Sequence, residues 1–559
     1  MRWKSRGFTT IEEVIKANHP EMTLQEFLHP RDDYQIKNIP EMANFILKAK
    51  EDQKNITIIG DYDADGVCST KELCMLLEAL GISPNVRLPR RFSEGYGLSE
   101  KIIDEIDDGV IITVDNGIAA GESIEKAKKK GLSVGIIDHH LNLIDERNLP
   151  VIPNADVIID PNAEGFGGDF NGYCASGLVY KLAQYMKVDE KALDGILCYA
   201  AIGTVADVMD LIEDNRNIVI KGLKVINDFH NRPMAIGALM KQMYIGTMTE
   251  SDIGFRIGPV INASGRLYDD GAQRVLDYFM MNENFPDLLR EAEKLVQTNQ
   301  ERKRIVTEAM EEAEDYIKEN CMFGERPLVL NLDANEGVLG IVAGRLSERY
   351  QTPAFVLTEH EPGMLKGSGR TYGNIHLKNL MDACAEYLIK YGGHAGAGGL
   401  SMKEEHLMDF QMAASDFLEE QPEQINNERY YDLEVSQDDD FDEILQKLHQ
   451  FAPFGQGNPP VTFLIKGFKL SPVGGSFYEA FGDMNDPHLK FHGKSMNVIG
   501  YNMYRRFQEQ QHPVVLDIYG KLRPGRKGGQ FELEDFTPVV SKKKESALSK
   551  ALAEELMKF

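Results

Sequence analysis

Residues 55–66, NITIIGDYDADG, run from an apolar, β-branched segment straight into three aspartates at alternate positions, Asp61, Asp63 and Asp65. The segment reads as a buried strand, and the stretch after it, VCSTKELCMLLEALG, reads as a helix closed by Gly81. The pattern recurs along the chain. VIITVDNG (110–117), LSVGIIDHH (132–140) and DVIIDP (156–161) are further short apolar runs that each end in a polar cluster. Strands alternating with helical segments predict a parallel sheet with helices on both faces. In such a sheet the strand C-termini lie along one edge, and ligands bind there. Asp61, Asp63 and Asp65 should therefore meet Asp115 and Asn116 from the second cluster, and Asp138, His139 and His140 from the third. Asp207, in GTVADVMDL after a helical run, is placed to close the site.

Carboxylates gathered this closely repel one another unless a cation screens them. Hard divalent ions take such oxygen ligands. Aspartate with histidine suits Mn²⁺ or Mg²⁺, and zinc accepts the same set. Gly66 and Glu72 fall at the sixth and twelfth positions from Asp61, as in an EF-hand loop. However, Asp65 and Val67 occupy its fifth and seventh positions, and a strand precedes the loop where that motif needs a helix. A solvated acidic turn without metal also stays open for this motif alone. Two metals about 3.5–4 Å apart activate a water and stabilise in-line phosphoryl displacement. Asp115 is the candidate for the carboxylate that bridges them.

The 559 residues carry 61 Lys+Arg against 88 Asp+Glu, a formal charge of −27, which excludes a protein that holds nucleic acid by bulk positive charge. A local basic groove is compatible with that balance. No stretch reaches the roughly 18 apolar residues of a membrane span, and the opening MRWKSRGFTTIEEV lacks an apolar leader region. The six cysteines are scattered without a CxxC pair and read as reduced thiols. These features together predict a cytoplasmic protein without membrane contact.

Further along, Asp287–Asn320 is a long charged helix with apolar residues at spacings of three and four, read as a connector packing one stripe on a neighbour. RPLVLNLD, GIVAGRLSERY and PAFVLTE open a second α/β unit. Past Ile425 come short strand-like runs with Gly/Pro punctuation, which predict a small β-barrel or sandwich. In GKLRPGRKGGQF, the residues Lys521, Arg523, Arg526, Lys527 and Phe531 form a candidate strand-facing patch, with a solvated basic hairpin as the alternative. The tail after Val540 is a basic run followed by a short amphipathic helix.

GDYDADG, VDNG, IDHH and the Asp207 region, in this order, resemble the four motifs of the DHH phosphoesterase family. RFSEGYGLS (91–99), INASGRL (261–267), GVLGIVAGRL (337–346), KGSGRT (366–371), YGGHAGAGGL (391–400) and PFGQGNPP (453–460) extend the likeness to its single-strand-specific exonuclease branch, from about residue 50 to 540. The sequence departs from the pattern at NEGVLGI, which lacks an aromatic or histidine just before Gly337, and at ADVMDL, which lacks a proline.

The resemblance implies an N-terminal segment (1–50), a DHH parallel-sheet catalytic domain (51–280), the connecting helix (281–325), a DHH-associated α/β domain (326–425), a β-barrel OB-fold domain (426–545) and a tail (546–559). It implies metal ligands at Asp61, Asp63, Asp65, Asp115, His139 and Asp207 for two Mn²⁺ or Mg²⁺ ions. It also places Asp115, Asn116 and His140 in catalysis, with His140 beside the scissile phosphate. Arg91, Arg266, Ser368, Arg370 and His394 bind substrate, the arginines near the 5′-phosphate end, where guanidinium groups clamp phosphate oxygens. The implied activity is 5′→3′ hydrolysis of single-stranded DNA to nucleoside 5′-monophosphates in DNA repair and recombination. The implied protein is a monomer that works with a single-stranded-DNA-binding protein and a helicase. Two alternatives remain: a phosphodiesterase for short oligoribonucleotides or cyclic dinucleotides, and a non-catalytic scaffold of the same fold. Positive charge is expected to be confined to the channel between the two α/β units, with an acidic outer surface.

Overall fold

Alternation along the strands decides which core each side chain enters. In β1 (Ile56–Ile59), Ile56 and Ile58 join one apolar cluster and Ile59 the opposite one. In β3 (Val110–Val114), Val110, Ile112 and Val114 face the first cluster and Ile111 the second. Strands buried on both faces need helices on both sides. With β2 (Asn85–Arg87), β4 (Ser133–Ile137) and β5 (Val157–Ile159) they form one parallel sheet of order β2-β1-β3-β4-β5. The computed structural model describes residues 3–539 apart from 283, 422–427, 483–486, 494–495 and 526–527.

The chain forms two units. The larger holds residues 32–209 and 214–426. After β1 the backbone turns into α1 (Ala64–Ala79), capped by the Asp63 side chain, which accepts the Gly66 N–H at 3.0 Å. Gly66 is required there, because a Cβ would lie 2.7 Å from the Asp61 backbone carbon. Helices α2 (Ala175–Met186) and α3 (Glu190–Ala206) pack closely on α1 through small residues, Ser176 and Gly203 among them. Helix α4 (Gly258–Leu267) leads to Arg266 near its C-terminus.

Helix α5 (Phe285–Glu319) is the long charged segment, started by an Asn284 side-chain cap and Pro286. Its buried stripe serves two cores in succession. Leu288, Ala292 and Leu295 join the core of α4, and Val306, Ala309, Met310, Ala313 and Ile317 join that of the following α/β sheet. That second sheet, of order β9-β10-β8-β7-β6, contains β6 (Leu328–Asn331), β7 (Ala354–Glu361), β8 (Met364–Arg370), β9 (Lys390–Gly393) and β10 (Ala397–Lys403). Only β6 and β7 pair in parallel; α6 (Leu339–Tyr350) crosses between them.

The other unit joins residues up to Arg31, Asp210–Glu213 and the described residues after 427. Its seven-stranded mixed sheet, β11-β12-β16-β17-β15-β14-β13, runs from β11 (Leu433–Glu434) and β12 (Thr462–Lys469) to β13 (Tyr478–Phe481), β14 (His488–His492), β15 (Asn497–Gly500), β16 (Val515–Gly525) and β17 (Gly528–Pro538). Phe463, Phe468, Phe491, Phe507, Phe531 and Phe536 fill its core together with Ile11, Val14, Ile15 and Phe27 from the N-terminal segment. That segment is anchored by Lys4 and Ser5 pairing in parallel with Tyr430 and Tyr431, and by the Trp3 indole N–H on Asp535 at 3.0 Å. Residues 32–50, by contrast, go with the larger unit, where the Ile39–Glu51 helix packs on the first sheet.

The candidate strand-facing patch is corrected by this register. Phe531 is wholly buried, Lys521 is paired with Glu534 at 2.5 Å, and Arg523 with Glu532 at 3.1 Å. On adjacent antiparallel strands these acids stand close to the basic side chains and neutralise them. Arg526, Lys527 and the tail helix lie outside the described residues.

Candidate metal centre

The strand ends gather as the parallel topology requires. Asp61 and Asp65 follow β1, Asp115 follows β3, and His139 and His140 follow β4, while Asp207 is the C-cap of α3. Three overlapping groups have ligand atoms mutually within 4.8 Å: Asp61, Asp63 and Asp115; Asp65, His139 and Asp207; Asp115, His139 and His140. Asp115 and His139 are each shared by two groups. His139 Nε2 lies 3.2 Å from Asp115 Oδ1, 3.6 Å from Asp207 Oδ2 and 3.9 Å from Asp65 Oδ2. All six predicted ligands are thus in one place.

Burial and mutual repulsion dominate the electrostatics. Asp61, Asp65 and Asp115 are each about 1% exposed. Burial first, and then neighbouring carboxylates, push the Asp61 and Asp115 acids well above the usual range. The same causes, led by burial, lift Asp207 to about 8. Asp61 Oδ1 and Asp115 Oδ1 are buried with no hydrogen-bond partner. Groups so placed cost stability unless something binds them. Asp65 is better supported, because its oxygens accept the N–H groups of Ala175 at 2.8 Å and Ser176 at 3.1 Å at the start of α2.

The third cluster divides its labour. Asp138 is buried and, among the described residues, is a member of none of the three groups. Its carboxylate accepts the N–H groups of Ile118, His139 and His140, and also bonds His140 Nδ1 at 2.8 Å. Burial opposes a charge on both partners, yet this contact holds Asp138 below the usual carboxylate range and lifts His140 to about 9. Burial pushes His139 the other way, below its ordinary value, which leaves a neutral imidazole fit to be a ligand.

Asn116, expected among the catalytic groups, has its side-chain amide engaged with the backbone around the site. It is about 1% exposed, its amide N–H₂ faces the carbonyls of Ile59, Gly60 and Val114, and its oxygen accepts Leu98 N–H at 3.1 Å. It ties the end of β1 to the turn that carries Asp115, which adopts a left-handed backbone at φ +64°. Tyr96 belongs to the site although no spacing argument singles it out. Its hydroxyl donates to the Asp115 carbonyl at 2.9 Å and lies 3.2 Å from His140 Nδ1. The signal was the Gly-Tyr-Gly context: a Cβ at Gly97 would sit 2.8 Å from Asn116.

The predicted substrate-binding residues form a second, basic group. Arg91 lies over the Tyr62 ring at 4.6 Å. Arg266 bonds the Gly337 carbonyl at 3.3 Å, and Arg370 bonds Ser368 Oγ at 3.1 Å. Burial, followed by the charges of Arg91, Arg302 and Arg370, draws Arg266 down to about 10, which marks these four as neighbours. Arg302, hidden in the charged helix, is the member that sequence reasoning missed. Among the described residues, no hydrogen bond or ion pair joins His394 to this group: it is exposed on the turn between β9 and β10, and its backbone N–H donates to the Ala397 carbonyl.

A parallel α/β sheet with a carboxylate–imidazole centre at its strand ends, followed by an associated α/β domain, defines the DHH class. Family models bear this out, with the DHH family N-terminal domain matching residues 55–204, the DHHA1 domain 325–420 and the RecJ OB domain 431–534. The chain belongs to the RecJ family. The single-stranded-DNA-specific exonuclease RecJ of Haemophilus influenzae is 32% identical over 81% of this chain and 82% of that protein. The Bacillus subtilis counterpart is 31% identical over 84% of this chain, which spans 58% of that longer relative. The crystal structure of Thermus thermophilus RecJ with Mn²⁺ shares the fold, with a TM-score of 0.75 and 22% identity over 97% of this chain and 80% of that one. A crystal structure of exonuclease RecJ bound to manganese superimposes with a TM-score of 0.57 and 25% identity, covering 71% of this chain and 98% of that one.

Proposed function

We propose that this protein is a metal-dependent 5′→3′ exonuclease that degrades single-stranded DNA to nucleoside 5′-monophosphates in DNA repair and recombination. The observation that carries the reading is the meeting of Asp61, Asp63, Asp65, Asp115, His139 and Asp207, with buried carboxylate oxygens left unpartnered. Those residues fit hard divalent ions and would hold them as ligands, Asp115 and His139 each belonging to two of the groups. When bound, two Mn²⁺ or Mg²⁺ ions supply a polarised water and draw charge from the scissile phosphate.

The chain's own residues do the rest. His140, oriented by the Asp138 carboxylate at Nδ1, donates a hydrogen bond to the phosphate beside the centre. Arg91, Arg266 and Arg370 with Ser368 hold the 5′-phosphate and so set the cut one nucleotide from the end. Asn116 and Tyr96 fix the Asp115 turn, so the carboxylate is aligned before substrate arrives. His394, on its exposed turn, guides the strand. Membership of the family also supports a cytoplasmic monomer partnered by a single-stranded-DNA-binding protein and a helicase. No helix among the described residues is long and apolar enough to cross a membrane.

The test is digestion of 5′-labelled single strands and matched duplex with Mn²⁺, resolving the first product. Mononucleotide release from the single strand, lost in Asp115→Ala, is expected. Equal cutting of duplex, preference for a dinucleotide over a long strand, or full activity in the variant would overturn it.

A further inference from the structure

Among the described residues, the polar end of DVIIDP (156–161) belongs to none of the three ligand groups. It lies beside them all the same. β4 and β5 pair in parallel with Ile137 opposite Ile159, and the Asp138 N–H donates to the Ile159 carbonyl at 2.9 Å. The ladder therefore sets the turn after β5 next to the turn that carries His139 and His140. Asp160 builds its own turn from within. It is about 1% exposed, and its Oδ1 accepts the Asn162 N–H at 2.9 Å and the Ala163 N–H at 3.2 Å, so that a side chain stands in for a backbone acceptor. Held in this way, half-buried Asn162 reaches across, and its Nδ2 donates to the His139 carbonyl at 2.6 Å. Two residues further on, the Glu164 N–H donates to Asn142 Oδ1 at 3.1 Å. The turn thus grips the segment from His139 to Asn142 at both ends.

The grip on His139 bears on the chemistry. The His139 carbonyl and the His140 N–H are the two polar ends of a single rigid peptide plane. Asp138 Oδ1 accepts that N–H at 3.2 Å, and Asn162 donates to that carbonyl, so the plane is pinned from both ends. Its tilt sets ψ of His139 and φ of His140, and with them the directions in which the two imidazoles leave the backbone. His139 goes toward Asp115, Asp207 and Asp65, whereas His140 turns back to Asp138 at 2.8 Å. Asp138 alone holds only the N–H end. Without Asn162 the carbonyl end is loose, and two side chains with different tasks lose their common reference.

We propose that Asn162 is a positioning residue of the metal centre. It holds the peptide between His139 and His140 so that the first imidazole meets the ligand carboxylates and the second meets the phosphate, and Asp160 acts through it. This rests on the metal-dependent nuclease reading above. Partners one step removed from a metal ligand typically govern affinity or activity by about 10–100-fold. The effect here passes through the backbone of His139 rather than through its ring, which carries it to His140 as well.

The test compares the full-length wild type with Asn162→Ala, with Asn162→Leu, which keeps the shape of Asn but has no donor, and with Asn142→Ala, which loosens the same turn without touching the His139 peptide. Mn²⁺ binding is followed by calorimetry, hydrolysis of a labelled single strand gives kcat and KM, and thermal unfolding in chelator reports on the fold. Both Asn162 variants should bind Mn²⁺ about tenfold more weakly and lose about 10–100-fold in kcat at saturating Mn²⁺, with KM within about twofold. Their Tm in chelator, and every value for Asn142→Ala, should match wild type. Wild-type Mn²⁺ affinity and kcat in either Asn162 variant overturns the inference and leaves the exonuclease reading standing. An equal loss in Asn142→Ala, or a loss that comes only with a lowered Tm in chelator, marks a merely structural turn and overturns it too. A wild type that binds Mn²⁺ and leaves single strands intact overturns the exonuclease reading, and the difference in Mn²⁺ affinity then decides the role of Asn162 by itself.

Discussion

Replacing Asp115 by Asn should remove activity and yet stabilise the metal-free protein. Asn keeps the shape of Asp and tolerates the left-handed backbone at φ +64°. What changes is charge, at a site about 1% exposed where three groups of acids and imidazoles crowd within 4.8 Å. At an effective dielectric constant of about 20, two unit charges about 5 Å apart repel by about 3 kcal/mol. Partial protonation of the cluster reduces the relief to about 1–3 kcal/mol, or a few degrees in Tm for a unit of this size. The sign with pH follows from linkage. Asp61 and Asp115 are raised and Asp207 reaches about 8, so the folded protein binds more protons than the unfolded chain from about pH 4 to pH 8. Wild-type stability without metal therefore falls as pH rises through that window, and the variant should fall less. Mn²⁺ should reverse the order, because wild type gains the full ligand set and the variant does not. Thermal unfolding at pH 5.5, 7 and 8.5, in chelator and in Mn²⁺, reads all of this. A variant that unfolds below wild type in chelator at pH 8.5, and gains as much from Mn²⁺, would refute the crowding argument.

Four other substitutions probe the positioning of the centre and the second unit. A methyl at Gly203 would lie 2.2 Å from Ser176 Oγ and 2.6 Å from Asp65 Oδ1, so Gly203→Ala should cut the rate by about 100-fold with the circular dichroism spectrum intact; unchanged kinetics would show that α3 does not set Asp65. Asp138→Asn releases the hydrogen bond on His140, and kcat on single strands should fall by about 10–100-fold while KM stays. On the second unit, Phe481, His488 and Tyr501 form an edge-to-face aromatic chain at 5.2 and 5.1 Å. Tyr501→Ala should weaken binding of a long strand by about 1–3 kcal/mol, whereas Lys521→Ala, an already neutralised cation, should leave it within about twofold, as measured by fluorescence anisotropy; the reverse ranking would restore the basic hairpin as the contact surface.

The first sheet and its ligand clusters were legible because both obey one short-range rule. A strand buried on both faces must be apolar throughout, and its polar tail must fall at the sheet edge, so Asp61, Asp115 and His139 could be aligned without knowing a single contact. What escaped depends on which chain segment lies opposite. Phe531 and Lys521 read as one basic, aromatic surface until the pairing of β16 with β17 sets acids against the cations and turns the ring inward. Asn116 sits beside a ligand in sequence, and only the end of β1 shows that its amide is spent on the backbone. Arg302 stands in an ERKR run that has every mark of a solvated helix face; buried Asn299 and the approach of α6 make it part of the site. The pairing of Lys4 with Tyr430 joins positions hundreds of residues apart and leaves no local trace.

The acidic balance of the chain and the polyanionic substrate proposed for it are reconciled by where pairing fails. Many lysines and arginines among the described residues have a carboxylate within reach, as on α5, where Arg290, Lys294 and Arg304 each bond an acid three positions earlier. Such pairs contribute little to stability, and they present no net charge to a passing strand. Two groups of opposite sign stand apart from such pairs, the aspartates at the strand ends and Arg91, Arg266, Arg302 and Arg370. At the centre a strand meets carboxylates that repel it until cations screen them, while the arginines reward only a chain end, where terminal phosphate charge is concentrated. On the proposed reading, recognition of an end and dependence on a divalent ion are two consequences of one charge distribution.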